Sequence, residues 1–429
     1  MSPVIILFSS FIITFILGLP IAFSLGLSSI ITMFYADIPI LTFVQNIYRG
    51  LDSFPVLAVP FFILTANLMN EGMITNKLIK FSKSLFGHIR GSLAQVNVVV
   101  SMLFAGLSGS SVADTAGIGS VLIPAMIKEG YGKDFSVAVT IASSTIGVII
   151  PPSIFMIIYG AYGGVSIAAL FLGGAIPGIL VGVGQMILCY FIAKKRGYPR
   201  GEKSSILGIM RDLQETVWAL LVPVIILGGI VGGVFTATEA AAVAVVYILF
   251  INIVIYRLLT LKSFFAAFKS TVNFVGPPLF CMVNATIFGW LLAYFEVPKM
   301  ITVFTANLSV GPTTMLLLIA LLYLFLGTFM SGIASIIIFL PIIQPLASGV
   351  GIHPVHLGIV ITMMLALGLI TPPYGLCLLI GAKIGNIEVT RAFSAVLIFL
   401  GLFLITVLII IFFPDLALFL PRNILPFPI

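Results

Sequence analysis

Charge is what this chain has least of. Only 8% of its 429 residues are Asp, Glu, Lys or Arg, while 61% are hydrophobic, so a water-soluble domain would lack polar cover and none is expected. Between positions 135 and 193 there is no charged residue at all, a length that calls for several membrane crossings. Cysteine is nearly absent: Cys189, Cys281 and Cys377 stand alone in apolar stretches, without disulfide or metal spacing, and read as small buried hydrophobes. The three histidines add no cluster; His88 falls in a cytoplasmic loop, His353 and His356 in an outer one. The first charge is Asp37, so a cleaved basic leader is not expected. A net charge of +7 fits basic residues gathered in cytoplasmic loops and not a nucleic-acid surface.

Against this background the stretch "AGLSGSSVADTAGIGSVLIPAM", residues 105–126, is unusual: Gly, Ser and one acid interrupt an apolar run. It has an echo. Adding 221 to the numbering places Gly106 on Gly327, Ser110 on Ser331, Pro124 on Pro345, Gly147 on Gly368, Pro151-Pro152 on Pro372-Pro373 and Gly160 on Gly381. Matches among backbone-shaping residues indicate two copies of one unit. The basic ends of the copies swap sides. "KEGYGKD" follows the first Ser-rich patch and has no basic counterpart in copy two, whereas "GAKIGNIEVTR" follows the second double proline and has none in copy one. Opposite charge bias at equivalent positions predicts inverted topology.

The fold class expected is thus an all-α polytopic membrane protein with two inverted repeats. The first covers 1–193, with a hairpin at 92–127 and a Pro-broken helix at 135–159. A cytoplasmic linker follows at 194–215, and the second repeat covers 216–429, with a hairpin at 313–348 and a broken helix at 356–380. Basic residues flank 92–127 on both sides, so that segment enters and returns from the cytoplasm, each limb reaching roughly 27 Å. Its tip is "LSGSS"; the mirror tip lies near Thr328 to Gly332. The other crossings are expected at 3–17, 20–36, 50–74, 165–192, 216–235, 237–257, 271–295 and 392–414, the duplication favouring two short crossings over one long helix in 3–36. This map leaves Arg49, Lys299 and Arg422 outside and the other 17 of the 20 basic residues in the cytoplasm.

Non-helical backbone at membrane depth needs protein, water or ligand to satisfy it. Each copy pairs a hydroxyl-bearing tip with a helix that a double proline unwinds, freeing carbonyls near Gly147 and Val148 and near Gly368. Neutral oxygens of this kind suit a small hard cation, and half-helix N-termini suit an anion. Asp114, just past the first tip, is expected to cap the second limb, with cation binding or proton carriage as alternatives; Ser335 stands at its place in copy two. Glu239 in "FTATEAAAVAVVY" reads as a helix cap after Thr236. Lys77, Lys80 and Lys83, spaced beside Leu78, Ile79, Phe81 and Phe86, read as an amphipathic helix on the cytoplasmic membrane surface, in contact with the lipid bilayer.

Taken in order, "LGLPIAFSLGL", "VPFFILTANLMNEGMI", "GLSGSSVADTAGIGSVLIPAM", "IGVIIPPSIFMIIYG", "FTATEAAAVAVVY" and "GLITPPYGLCLLIG" resemble the motifs of the large membrane subunit of tripartite ATP-independent periplasmic (TRAP) transporters, in the ion-transporter superfamily. The resemblance implies a bacterial inner-membrane elevator carrier. It also implies uptake of an organic acid driven by Na+ at two or more sites, a periplasmic substrate-binding protein, and a small four-helix membrane subunit, here expected as a separate chain. Residues 92–192 and 313–414 would be the moving part, and 20–90 with 216–311 the frame. Carried over, one Na+ site would use Ser108, Ser110 or Ser111 with carbonyls near Gly147, Val148 and Pro151; the second would use Gly327, Gly332, Gly368 and Thr371. The acid would lie between the tips, lined by Ser153, Ser335 and Tyr374, with Pro152, Pro372, Pro373, Asp114 and Glu239 in supporting roles. N-acetylneuraminate is favoured over a C4-dicarboxylate as the acid. Rival readings are a stand-alone Na+/dicarboxylate symporter or an ion antiporter, which would need no binding protein. A further rival is an intramembrane serine protease suggested by "GLSG" at 106–109, which would need a histidine facing Ser108.

Overall fold

The computed structural model describes residues 2–52, 54–71, 74–201, 203–300 and 310–425. Parts of the expected crossing 50–74, of the linker and of the frame (positions 53, 72–73, 202 and 301–309) lie outside the described residues. The described chain is helical, with no strand beyond an isolated antiparallel bridge between Arg90 and Arg200. Among the described residues seven helices are long and apolar enough to cross a membrane, from Pro312–Phe329 at 18 residues to Leu261–Tyr294 at 34.

Two helix pairs carry the polar patches. In the first, Ser92–Ser108 is followed by Ser111–Lys128; in the second, Pro312–Phe329 is followed by Gly332–Gly349. Each turn has two residues. Gly109 closes the first limb at φ +61°, a left-handed conformation that glycine adopts without strain, and its N–H reaches Ala105 O. Ser110 then starts the next limb as N-cap, accepting from Ala113 N; Ser331 does the same for Ala334 N. The broken helices follow. Lys133–Ser144 tightens into a 3₁₀ turn at Thr145–Val148 and resumes at Ile154–Gly163; Pro354–Gly368 resumes at Leu376–Gly385. Prolines at 151–152 and 372–373, both pairs joined by cis bonds, sit in the gaps, where a missing N–H and a fixed φ stop a helix from continuing. Counting the 3₁₀ turn to Val148 with the helix it ends, helix bounds in the two halves correspond at offsets of 220 to 222 from the hairpins through the resumed helices.

The two halves interlock. The second limb of each hairpin packs on the resumed helix of the other half: Ser111–Lys128 on Leu376–Gly385, and Gly332–Gly349 on Ile154–Gly163. Around this core lie Ile21–Tyr35, Ala58–Glu71, Ile206–Val231, Ala237–Phe250 and Leu261–Tyr294, which pack mainly on one another. Helix Ile167–Arg196, 30 residues and about 45 Å long, shows the two ends of the molecule. Near its start Gln344 donates to Gly163 O (2.7 Å) and Tyr159 to Pro354 O (2.8 Å). Beyond its end Arg200 donates to His88 O (2.7 Å), and Gly91 N and Gly201 N pair with Pro199 O and Gly87 O. Lys83–Glu129 (3.5 Å), Lys80–Asp212 (2.8 Å) and Arg391–Asp134 (2.9 Å) draw the basic loops together. These pairs are exposed and serve more to align loops than to stabilise.

Several expectations are corrected. Segment 50–74 is not one helix: a 3₁₀ turn at Phe54–Leu57 precedes Ala58–Glu71, because Pro55 has no amide to donate to a helix entering from residue 50. A separate helix, Ile40–Leu51, carries Arg49. The linker is shorter than 194–215, since one helix runs to Arg196 and the next starts at Ile206, capped by Ser205; charge sets where a helix leaves the bilayer and not where it ends. Residues 3–36, by contrast, agree with the expectation of two segments: they form the helices Pro3–Ile16 and Ile21–Tyr35, packed on each other. His356 is not in a loop: it lies buried within Pro354–Gly368, and His353 is that helix's N-cap.

A close backbone approach in the core gives a stability prediction. A β-carbon at Gly368 would fall 2.5 Å from the carbonyl carbon of Gly327, whereas one at Gly401 meets nothing within 4 Å. Gly368→Ala should cost about 1–3 kcal/mol through overpacking and lower the melting temperature in detergent, while Gly401→Ala leaves it unchanged or higher.

Candidate functional site

Both hairpin turns open on one cavity of about 430 Å³. On one side it is walled by Gly109 to Val112, Phe329 to Ala334, Ile154, Phe155, Tyr374 and Leu376; on the other by Ile21 and Ala22, and by Asn273, Phe274, Pro277, Pro278 and Cys281. The N-termini of four helices therefore face this space: those starting at Ser111, Gly332, Ile154 and Leu376. Among the described residues no charged side chain lines it. Unpaired N–H groups and the positive ends of helix dipoles are the attraction it offers an anion.

The turns and helix breaks satisfy each other. Ile154 N donates to Gly109 O (3.3 Å), and Tyr374 N to Thr328 O (2.9 Å). A β-carbon at Gly109 would meet Pro152 O at 2.7 Å, and one at Gly147 would meet Ser111 N at 3.2 Å, so glycine lets these backbones touch. Around the first turn Ser108 Oγ accepts from Ser110 N (3.3 Å), and Ser153 Oγ donates to Val148 O (2.5 Å). Ser111 Oγ is buried on the cavity wall with no partner. That orphan hydroxyl, beside carbonyls that each keep a second lone pair, is the donor chemistry a small hard cation takes. Around the second turn Gly368 O accepts from Thr371 N (3.2 Å) and Thr371 Oγ1 donates to Leu367 O (2.8 Å), while Gly332 abuts the Phe155 ring.

Of the residues expected to line the substrate space, Tyr374 lies on the cavity wall. Ser153 and Ser335 do not: both are fully buried, the first as N-cap of Ile154–Gly163, the second donating to Ser331 O (3.1 Å). Asp114 is not a cap. Its own N–H already bonds Ser110 O (3.0 Å), so it sits inside the helical ladder and Ser110 holds the capping place. Its carboxylate points into the protein interior, where Oδ1 lies 3.3 Å from Ser101 Oγ and Oδ2 has no partner among the described residues. A chain of buried polar groups continues from there: Ser101 to Ser143 (2.9 Å), Ser143 to Asn97 (3.3 Å), Asn97 to Thr140 (2.6 Å). Glu239 closes a capping box with Thr236, whose N–H donates to Oε2 at 2.8 Å. His356 Nε2 donates to Ile410 O (2.8 Å) within the buried helix Pro354–Gly368.

The frame side of the cavity was not foreseen. Its signal was present as a third double proline, Pro277-Pro278, inside the continuous helix Leu261–Tyr294. Those prolines deprive the carbonyls of Asn273 and Phe274, four residues back, of their helical donors at the cavity wall.

For the interior network, Thr140→Val should leave the Asn97 amide only the weak acceptor Met126 Sδ (3.7 Å) and cost about 1–3 kcal/mol, read as a lower melting temperature. Asn97→Leu paired with Thr140→Val should recover part of that loss, because no donor is then left unmade.

Comparison with known proteins places this architecture. The family described as "Tripartite ATP-independent periplasmic transporter, DctM component" matches residues 8–416. The sialic acid TRAP transporter large permease protein of Vibrio cholerae is 42% identical over 95% of this chain and 96% of that one. The sialic acid TRAP transporter permease protein of Haemophilus influenzae is 37% identical over 97% of this chain, which spans 68% of that longer protein. The crystal structure of the YdaH transporter of Alcanivorax borkumensis superposes with a TM-score of 0.62 over 86% of both chains at 16% identity, a likeness of fold alone. The relatives are transport permeases and not enzymes. With seven membrane-length helices among its described residues, this is a multi-pass protein of the inner membrane, and the chain belongs to the DctM component family as a TRAP transporter large permease.

Proposed function

We propose that the chain takes up an organic acid by a Na+-coupled elevator movement, with the acid held between the two hairpin turns. The observation that carries this reading is the convergence of four helix N-termini and both turns on one uncharged cavity. An anion is held there by backbone N–H groups, and hydroxyls and unwound carbonyls behind each turn hold Na+. Candidates at the first cation site are Ser108, Ser110 and Ser111 with Gly147, Val148 and Pro151; at the second, Gly327, Gly332, Gly368 and Thr371. Each hairpin packs on the resumed helix of the opposite half, so opening one hairpin alone would break the other's packing. Movement of 92–192 with 313–414 as one body past the surrounding helices preserves the site, which supports an elevator over separate gates. Inverted repeats account for the matching helix bounds. The gathering of basic loops at one end supports placing that end in the cytoplasm.

N-acetylneuraminate is the favoured substrate: it joins one carboxylate for the helix N-termini to many hydroxyl and amide donors for the Asn273 and Phe274 carbonyls. A C4-dicarboxylate brings no such donors. As a TRAP permease the chain works with a periplasmic binding protein and a small membrane subunit. We place the small subunit on a separate polypeptide, although the longer Haemophilus influenzae relative extends well beyond the matched region. In a cysteine-free background, labels introduced at Lys128 and Lys383 should react only from the cytoplasm, and labels at Gly163 and His353 only from the periplasm. Same-side labelling of 128 and 353 removes the inverted topology.

Coupling has its own test in proteoliposomes holding the complete transporter. Losing one neutral oxygen from a cation shell should cost about 1–2 kcal/mol, so Ser111→Ala and Thr371→Val should each raise the Na+ concentration for half-maximal N-acetylneuraminate uptake five- to thirtyfold. The double variant should lose cooperativity in Na+. Unchanged Na+ curves, normalised to folded protein, would make both side chains packing groups.

A further inference from the structure

The central cavity does not end at the hairpin turns. An open cleft of about 540 Å³ adjoins it, lined by Ala266, Lys269, Ser270, Asn273 and Phe274 of the long helix Leu261–Tyr294. Asn273 and Phe274 line both spaces, so the two lie next to each other along that helix. Lys269 is the one charged residue lining either, and it forms no ion pair among the described residues. It stands one helical turn from Asn273, a spacing that brings side chains within about 6 Å of each other at their β-carbons. A cavity that holds an anion with helix ends alone thus has a full cation at its mouth, borne by a helix of the surrounding frame.

We propose that Lys269, with Ser270 and Asn273, forms a second carboxylate subsite on the cytoplasmic side, onto which the transported acid steps as it leaves the hairpin turns. The inference rests on the uptake reading above for the direction of travel. While the acid moves it is held by neutral groups that travel with it. Once the carrier brings it beside the fixed lysine, the cation competes for the carboxylate and lowers the barrier to release. Because Lys269 does not move with the carrier, it does not hold the acid on the periplasmic side, where it would oppose transport. A lysine that merely marks the cytoplasmic end of a membrane helix would face lipid headgroups and leave the field inside the cleft unaltered.

That field can be measured without any substrate. In the complete transporter, with Cys189, Cys281 and Cys377 replaced by Ala, Asn273→Cys supplies a reporter in the shared wall. Its reaction rates with membrane-impermeant anionic and cationic methanethiosulfonates are compared from the cytoplasmic face. Removing one positive charge about one helical turn away should lower the anionic-to-cationic rate ratio about fivefold in Lys269→Gln, with Lys269→Arg restoring it. In vesicles Lys269→Gln, with Asn273 intact, should slow N-acetylneuraminate uptake about threefold at saturation and leave external Na+ and substrate half-saturation unchanged. It should also weaken inhibition of uptake by acid loaded inside. An unchanged thiol ratio, or unaltered maximal uptake in Lys269→Gln, overturns the subsite. Failure of the wild-type protein to carry N-acetylneuraminate would instead overturn the substrate assignment, and the thiol ratio would still decide whether Lys269 governs the cleft.

Discussion

An interrupted helix in a membrane leaves amide and carbonyl groups that lipid cannot satisfy, and the rest of this structure follows from where those groups go. Here they go to the hairpin turns. The first resumed helix sends Ile154 N to Gly109 O, and the second break sends Tyr374 N to Thr328 O. Such docking requires backbone within contact distance of backbone, which explains glycine at 109, 147, 327 and 368, where a β-carbon would fall about 2.5 to 3.2 Å from main-chain atoms of the facing segment. It also places helix beginnings, and not helix middles, on the central cavity.

Interlocking has a mechanical consequence. Because Ser111–Lys128 and Gly332–Gly349 each rest on the other half's resumed helix, neither turn can move far without carrying its opposite number. The interior is stiffened further by Ser101, Ser143, Asn97 and Thr140, a buried hydrogen-bonded chain of the kind that specifies one packing when its members are satisfied. Helix packing also ties this core to its surroundings, Leu261–Tyr294 on Gly332–Gly349 and Ile74–Phe86 on Ser92–Ser108; the polar contacts there are of another sort. They include an exposed ion pair, Lys83–Glu129, and a hydroxyl pair, Tyr162 with Thr286 at 3.3 Å, both of which water or new partners can replace cheaply.

Much of this was legible in the chain before any coordinates. The turns at Ser110 and Ser331, the double-proline breaks and the Thr236–Glu239 capping box all depend on short-range stereochemistry that residue type dictates: a proline has no amide, and a serine before a helix finds its free N–H groups. Asp114 was misplaced for the opposite reason. A carboxylate four residues into a helix has several polar neighbours within reach, and only the packing of Ser92–Ser108 alongside made Ser101 the partner. Ser153 and Ser335 were drawn away from the cavity by local bonds to Val148 O and Ser331 O, which a hydroxyl's rotamer decides after the backbone is set.

By itself the sequence determined an all-helical membrane protein with two polar turns and two broken helices at related positions, because hydropathy, charge and proline act locally or along one helix. The tertiary structure alone decided that each hairpin rests on the other half's helix and that four N-termini share one cavity. It also decided that Pro277-Pro278, on a helix far away in the chain, forms part of that cavity's wall, and that Lys269 lines an open groove along the same helix. Those are relations between segments that no local pattern encodes, since packing of helices across the repeat selects one among many arrangements of the same apolar faces.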